Sequence, residues 1–137
     1  VSESITISSA CTRESILDLS EDVRNNSFLL IDIEGGEYEL LTDEVIALFQ
    51  GSFFVIELHP FASHDGETAT DELCKRFFNT HTVQRVDQGA RNPNQFHALK
   101  HLHDNERWLL ASENRGQLME WLVARPRAAS DSQKVNL

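Results

Sequence analysis

The sequence is short of the residues that mark several protein classes. It holds two cysteines in 137 residues, Cys11 and Cys74, far apart and without metal-ligand spacing. That excludes a disulfide-stapled secreted scaffold and fits a reducing, cytoplasmic setting. Basic residues are scarce, 12 Lys+Arg against 22 Asp+Glu, for a formal net charge of −10. The deficit lies in the first half: residues 1–70 carry a net −12 and residues 71–137 a net +2. An acidic surface repels phosphate backbones, which argues against nucleic-acid partners, and is most simply a solubilising face. No apolar run approaches the ~20 residues of a membrane-spanning helix. Residues 1–10 also lack the basic flank and apolar stretch of a secretory signal. The chain begins at Val1 and its only methionine is Met119, so it is expected to be a processed or excised piece.

What is present is globular. Hydrophobic residues make up 40% and charged residues 25%, enough to build one cored domain. A β-branched run, Ile5-Thr6-Ile7, precedes apolar positions Ile16, Leu19 and Val23 at helical spacing. The run Phe28-Leu29-Leu30-Ile31-Asp32-Ile33 is almost continuously apolar, as in a parallel strand buried on both faces. Glu34-Gly35-Gly36-Glu37 then turns into a helical stretch carrying Tyr38, Leu40, Leu41, Val45, Ile46 and Phe49. Thr42 or Asp43 is placed to cap a second turn in that stretch, and Gly51 to close it. A second strand covers residues 53–59, stopped by Pro60. After a polar loop at 62–67, a helix over about 70–78 is expected to bury Leu73, Phe77 and Phe78. An alternating strand at 82–87, a helical stretch over 95–113 with a candidate break near Asp104, and a last strand at about 119–124 complete the pattern. Strands alternating with helices define an α/β sheet with right-handed crossovers. The domain is assigned to residues 1–124 and a polar tail to 125–137.

Ligands in open α/β sheets bind outside the carboxyl ends of the strands. Here two consecutive strands end Asp32-Ile33-Glu34-Gly35-Gly36 and Glu57-Leu58-His59-Pro60. Strand alternation puts Asp32 with Glu34 and Glu57 with His59. If the strands are neighbours, about 4.8 Å apart, three carboxylates and an imidazole share one rim. Such a cluster is costly to bury without partners, which favours function over packing. Each residue also has a purely structural reading. Glu34 and Glu37 suit a helix N-terminus, Glu57 suits local amides, and Gly35-Gly36 suits a tight turn.

Residues 29–41, Leu-Leu-Ile-Asp-Ile-Glu-Gly-Gly-Glu-Tyr-Glu-Leu-Leu, followed by Phe54-Val55-Ile56-Glu57-Leu58-His59-Pro60, resemble the FkbM-type methyltransferases. That family carries "(I/V)D(I/V)EG-x-E-x-x-x-L" at its fourth strand and then an apolar strand ending "E-x-H". Ile16-Leu17-Asp18-Leu19 loosely matches the family's "LD-x-L" lead-in. The resemblance implies a Rossmann-like class I methyltransferase sheet, here its C-terminal part, about strands 4 to 7 with flanking helices. It also implies S-adenosylmethionine as cofactor and O-methylation of a hydroxyl on a sugar or small metabolite. The chain has no Gly-x-Gly, so most cofactor contacts are expected from a region absent from it. In this reading Asp32, Glu34 and His59 are the catalytic candidates, with His59 as general base because its ordinary pKa is near neutrality. Gly35, Gly36 and Glu57 face substrate or cofactor, and no metal is assigned.

Two rivals come from other classes. Asp32, Glu34, Glu57 and His59 also suit a divalent metal in a hydrolase. A non-catalytic α/β interaction module is the other; its uncovered edge at residues 28–33 would favour a homodimer. Weaker signals have plainer explanations. His97, His101 and His103 lack a third ligand at firm spacing and read as surface histidines. Trp108 and Trp121 read as core aromatics. Lys75, Arg76, Arg85 and Arg91 read as a solvated face.

Overall fold

The computed structural model describes residues 5, 8, 10–59, 66–89, 91–112 and 119–128. Residues 6–7, 60–65 and 129–137, on which the first β-branched run, the polar loop and most of the tail fall, lie outside the described residues. Ten α and β elements follow in chain order: α1 Arg13–Leu17, α2 Glu21–Asn25, β1 Phe28–Ile31, α3 Glu37–Leu40, α4 Asp43–Leu48, β2 Phe53–Leu58, α5 Gly66–Phe77, β3 His81–Asp87, α6 Asp104–Ala111 and β4 Glu120–Pro126. No helix among the described residues is long and apolar enough to cross a membrane.

The strands form one mixed sheet in the order β1-β2-β4-β3. β1 and β2 are parallel, with Phe28 opposite Phe53 and Ile31 opposite Ile56. β4 runs antiparallel to both β2 and β3 and lies between them. It continues to Pro126, beyond the expected end at Ala124, because Arg125 pairs with Thr82 and Pro126 with His81. The result is a mixed α/β fold built on a four-stranded sheet.

Strand alternation selects which side chains meet the core. Leu29 and Ile31 of β1, Phe54, Ile56 and Leu58 of β2, and Leu122 and Ala124 of β4 share one face. They pack with Ile16, Leu41, Val45, Ile46, Phe49, Leu73 and Phe77 from the helices and their ends. The other face is more open. Phe28 is 66% exposed and Leu30 64%, which corrects the expectation of a strand buried on both sides. A continuous apolar run reports strand character, but two-sided burial needs helices on both faces.

Several boundaries also differ from the sequence reading. The Ile16–Val23 stretch is two short helices, because Thr12 caps α1 and the Ser20 side chain caps α2. Only Ile16 of the three spaced apolar residues is buried. Thr42 does cap α4, splitting the long helical stretch after Leu40. α5 begins at Gly66, four residues before the expected start, and Phe78 is exposed just past its end. The helical stretch expected over 95–113 does break near Asp104, where α6 begins, but its first part is two 3₁₀ turns, Pro93–Gln95 and His97–Leu99. Trp108 on α6 is 46% exposed and so is not a core residue. Gly51 is not held for a left-handed helix end: a Cβ there would lie 2.5 Å from the Asn25 carbonyl oxygen. It serves a close backbone crossing between the end of α2 and the start of β2.

Candidate functional site

The site is built where the parallel pair β1 and β2 ends. β1 stops at Ile31, so Asp32 and Glu34 lie on the following loop and not on a continued strand. The chain turns at Glu34 with φ 53° and Gly35 with φ 103°, and Gly36 N–H closes the turn on Ile33 O at 3.1 Å. Left-handed backbone is routine for Gly35 and uncommon for a glutamate. A Cβ on Gly36 would sit 3.2 Å from Ile33 Cδ1, so a small residue suits the turn there too. α3 then starts at Glu37.

His59, one residue past β2, is 1% exposed and Glu57 is 2% exposed. The imidazole Nε2 lies 3.6 Å from Asp32 Oδ1, 3.6 Å from Glu34 Oε2 and 3.7 Å from Glu57 Oε2. On the other side of the ring, Nδ1 lies 3.1 Å from Glu37 Oε1. Glu37 is completely buried and also accepts from two backbone groups: His59 N–H on Oε1 at 3.0 Å and Gly35 N–H on Oε2 at 2.9 Å. Four carboxylates therefore surround one buried imidazole at the carboxyl ends of two adjacent parallel strands. Asp32 and Glu34 form the outer layer, their side chains 49% and 80% exposed.

The family described as Methyltransferase FkbM domain matches residues 3–113. The chain belongs to the FkbM methyltransferase family. No curated protein and no solved structure gives a match. The matched segment of this FkbM domain spans the whole acid–imidazole cluster and ends before β4.

The FkbM domain thus brings together all four of the polar residues singled out at the strand ends, Asp32, Glu34, Glu57 and His59. Sequence reasoning passed over Glu37, which it treated as a carboxylate at a helix start. Its signal was its place in the Glu-Gly-Gly-Glu segment, directly after the glycine pair. The donor atoms of Asp32, Glu34 and His59 lie within 4.8 Å of one another, near enough to share a cation. His97 and His101 do not share a helical face, since His97 opens a 3₁₀ turn and His101 follows it.

The helices behind the site are held by polar contacts that a solvated basic face would not make. Arg76 of α5 donates to the carbonyls of Tyr38 at 2.8 Å and Leu41 at 2.9 Å, satisfying the end of α3. The Tyr38 hydroxyl pairs with buried Thr70 at 3.1 Å, and burial pushes its phenol above the ordinary range. Arg85 bridges Asp71 and Glu120, and its bond to Glu120 raises its already high pKa. Burial likewise pushes the Cys74 thiol up, which makes it a packing residue and a poor nucleophile.

Proposed function

We propose that this domain serves S-adenosylmethionine-dependent transfer of a methyl group to a hydroxyl on a sugar or small metabolite. The observation that carries the reading is the buried His59 ringed by carboxylates at the carboxyl ends of β1 and β2. When bound, the cofactor supplies an activated methyl on a sulfonium cation. Exposed carboxylates suit a cationic group, so Asp32 and Glu34 fit that neighbour. They also lie where an incoming hydroxyl would be met first, and can orient it by accepting its proton in a hydrogen bond. His59 lies behind them, with Nε2 3.6 Å from each, placed to take the proton as the acceptor oxygen is methylated. Once protonated, the ring faces Asp32, Glu34 and Glu57 on one side and Glu37 on the other, so the new charge is stabilised where it forms.

The test is methyl transfer to hydroxyl acceptors by the full-length protein carrying His59→Ala. Loss of a general base lowers turnover by about 10²–10⁴-fold; unchanged turnover excludes His59 from that role. Calorimetry with S-adenosylhomocysteine on the 137-residue chain asks a separate question. Weak or absent binding is expected if most cofactor contacts come from elsewhere. Micromolar binding would mean that these residues build the cofactor site without a glycine-rich loop.

A second reading, metal-assisted hydrolysis, draws on the 4.8 Å grouping of Asp32, Glu34 and His59. Titration with Mn²⁺ separates the two: tight stoichiometric binding favours hydrolysis, and its absence favours transfer.

A further inference from the structure

We infer that Glu37 is the positioning residue for His59, fixing the imidazole as the Nδ1–H tautomer so that Nε2 is the nitrogen that takes up a proton. The catalytic meaning of this assignment rests on the methyl-transfer reading above, but the assignment itself follows from hydrogen-bond arithmetic. Oε1 of Glu37 accepts the His59 backbone N–H at 3.0 Å, and Oε2 accepts the Gly35 N–H at 2.9 Å. Backbone hydrogens accepted on both oxygens favour the carboxylate over the acid, and a carboxylate is an acceptor with no hydrogen to give. At the 3.1 Å contact between Oε1 and Nδ1, the hydrogen must then come from the ring. Nδ1 is the donor.

The result is not trivial, because the other carboxylates pull the opposite way. Asp32, Glu34 and Glu57 all face Nε2 at 3.6–3.7 Å and would draw a single ring proton to that side. Glu37 opposes them with a shorter contact of direct hydrogen-bond length. It is also completely buried, where Asp32 and Glu34 are 49% and 80% exposed and screened by water; Glu57 is buried too, but its 3.7 Å contact is beyond direct hydrogen-bond length. Nδ1 is held as a donor, and Nε2 is left facing the residues that an acceptor would meet. The same side chain ties two parts of the site together. It spans from the Gly35 turn, which sets Asp32 and Glu34, to the end of β2, which sets Glu57 and His59.

The variant that isolates this role is Glu37→Gln, equal in size but with an NH₂ in place of one accepting oxygen. Whichever way the amide turns, the side chain facing Nδ1 has lost its negative charge while Asp32, Glu34 and Glu57 keep their place at Nε2. The readout is the ring ¹⁵N–¹H correlation pattern of His59 in the ¹⁵N-labelled chain, followed through a rising pH series to the spectrum of the singly protonated ring. The His59 signals are assigned by their loss in His59→Gln. The wild type is expected to show Nδ1–H with Nε2 bare, and Glu37→Gln a shift toward Nε2–H. Tyr38→Phe, a change one residue further along α3, is expected to leave the pattern as in wild type, separating tautomer control from general loosening of the helix. Nε2–H in the wild type, or an unaltered pattern in folded Glu37→Gln, would overturn the inference. If Glu37→Gln does not fold, the wild-type tautomer decides alone. Full methyl transfer by His59→Ala alongside the expected tautomer would overturn the general-base role of His59 and leave the Glu37 assignment standing, whereas no methyl transfer by the full-length wild type would overturn the proposed function itself.

Discussion

Replacing His81 with phenylalanine keeps an aromatic ring between Phe54 and Phe77 but deletes both ring nitrogens. In the native fold His81 is fully buried at the start of β3, its ring 5.3 Å from that of Phe54 and 5.4 Å from that of Phe77, both edge-to-face. Nε2–H donates to Ser52 O at 3.0 Å, and the Thr80 hydroxyl pairs with Nδ1 at 2.7 Å. The substitution keeps the stacking and loses two hydrogen bonds, each worth about 1 kcal/mol net, so about 2 kcal/mol of stability is lost at pH 8. The loss is predicted to depend on pH. Burial pushes the His81 imidazole below its ordinary 6.5, and the Ser52 and Phe49 carbonyls pull it back only in part. The unfolded chain then binds this proton more readily than the folded one, so stability rises with pH across the interval below 6.5. His81's contribution is complete above that value and is lost as the pH falls beneath it, at no more than about 1.4 kcal/mol per pH unit for one proton. Urea unfolding of wild type and His81→Phe between pH 8 and pH 5 measures the gap directly. It should be widest at pH 8 and narrow toward pH 5. A constant gap, or one that widens in acid, would refute the argument.

Gly51→Ala is expected to cost about 1–3 kcal/mol by overpacking. Its Cβ would meet Asn25 backbone atoms at 2.5–3.3 Å, and backbone cannot rotate aside; an unchanged melting temperature would show that the crossing is slack. Among the described residues β1 pairs with β2 alone and exposes Phe28 and Leu30, so a second copy is expected to associate through that edge. Sedimentation equilibrium should show a concentration-dependent dimer that Leu30→Lys weakens; a wild type that stays monomeric at high concentration counts against it.

The strands were legible because their apolar runs are bounded by local chemistry that needs no tertiary context. β2 is flanked by Gly51 and Pro60, and its run from Phe53 to Leu58 is all strand. β1 was legible as a strand but not as a one-sided one, since Phe28 and Leu30 differ from Leu29 and Ile31 only in what packs against them. In the stretch 95–113 the break near Asp104 was legible, but the 3₁₀ character of its first part was not, for a related reason. Its composition suits a helix, but the chain breaks into 3₁₀ turns before His103, where Glu106 reaches back to the His103 N–H at 3.0 Å and starts α6 afresh. His81 gave no signal, because a histidine opening a strand looks the same whether solvated or enclosed by two phenylalanines.

The site shows the same division between what a segment carries and what only the fold supplies. Asp32, Glu34, Glu57 and His59 were legible as polar ends on apolar strands, yet strand alternation was not the reason that Asp32 and Glu34 meet His59. β1 has already ended at Ile31, and Glu34 stands in a left-handed turn. What brings the loop to the imidazole is a carboxylate that belongs to neither strand. Glu37 accepts from Gly35 on one oxygen and from His59 on the other, so the turn and the end of β2 are held at a fixed spacing by one buried side chain. An ionised group with no solvent exposure is costly unless its acceptors are filled, and the three N–H groups that fill them come from positions 35 and 59. The Gly-Gly turn, the buried glutamate and the strand-end histidine are therefore one unit, and loss of Glu37 removes every contact by which it joins the other two.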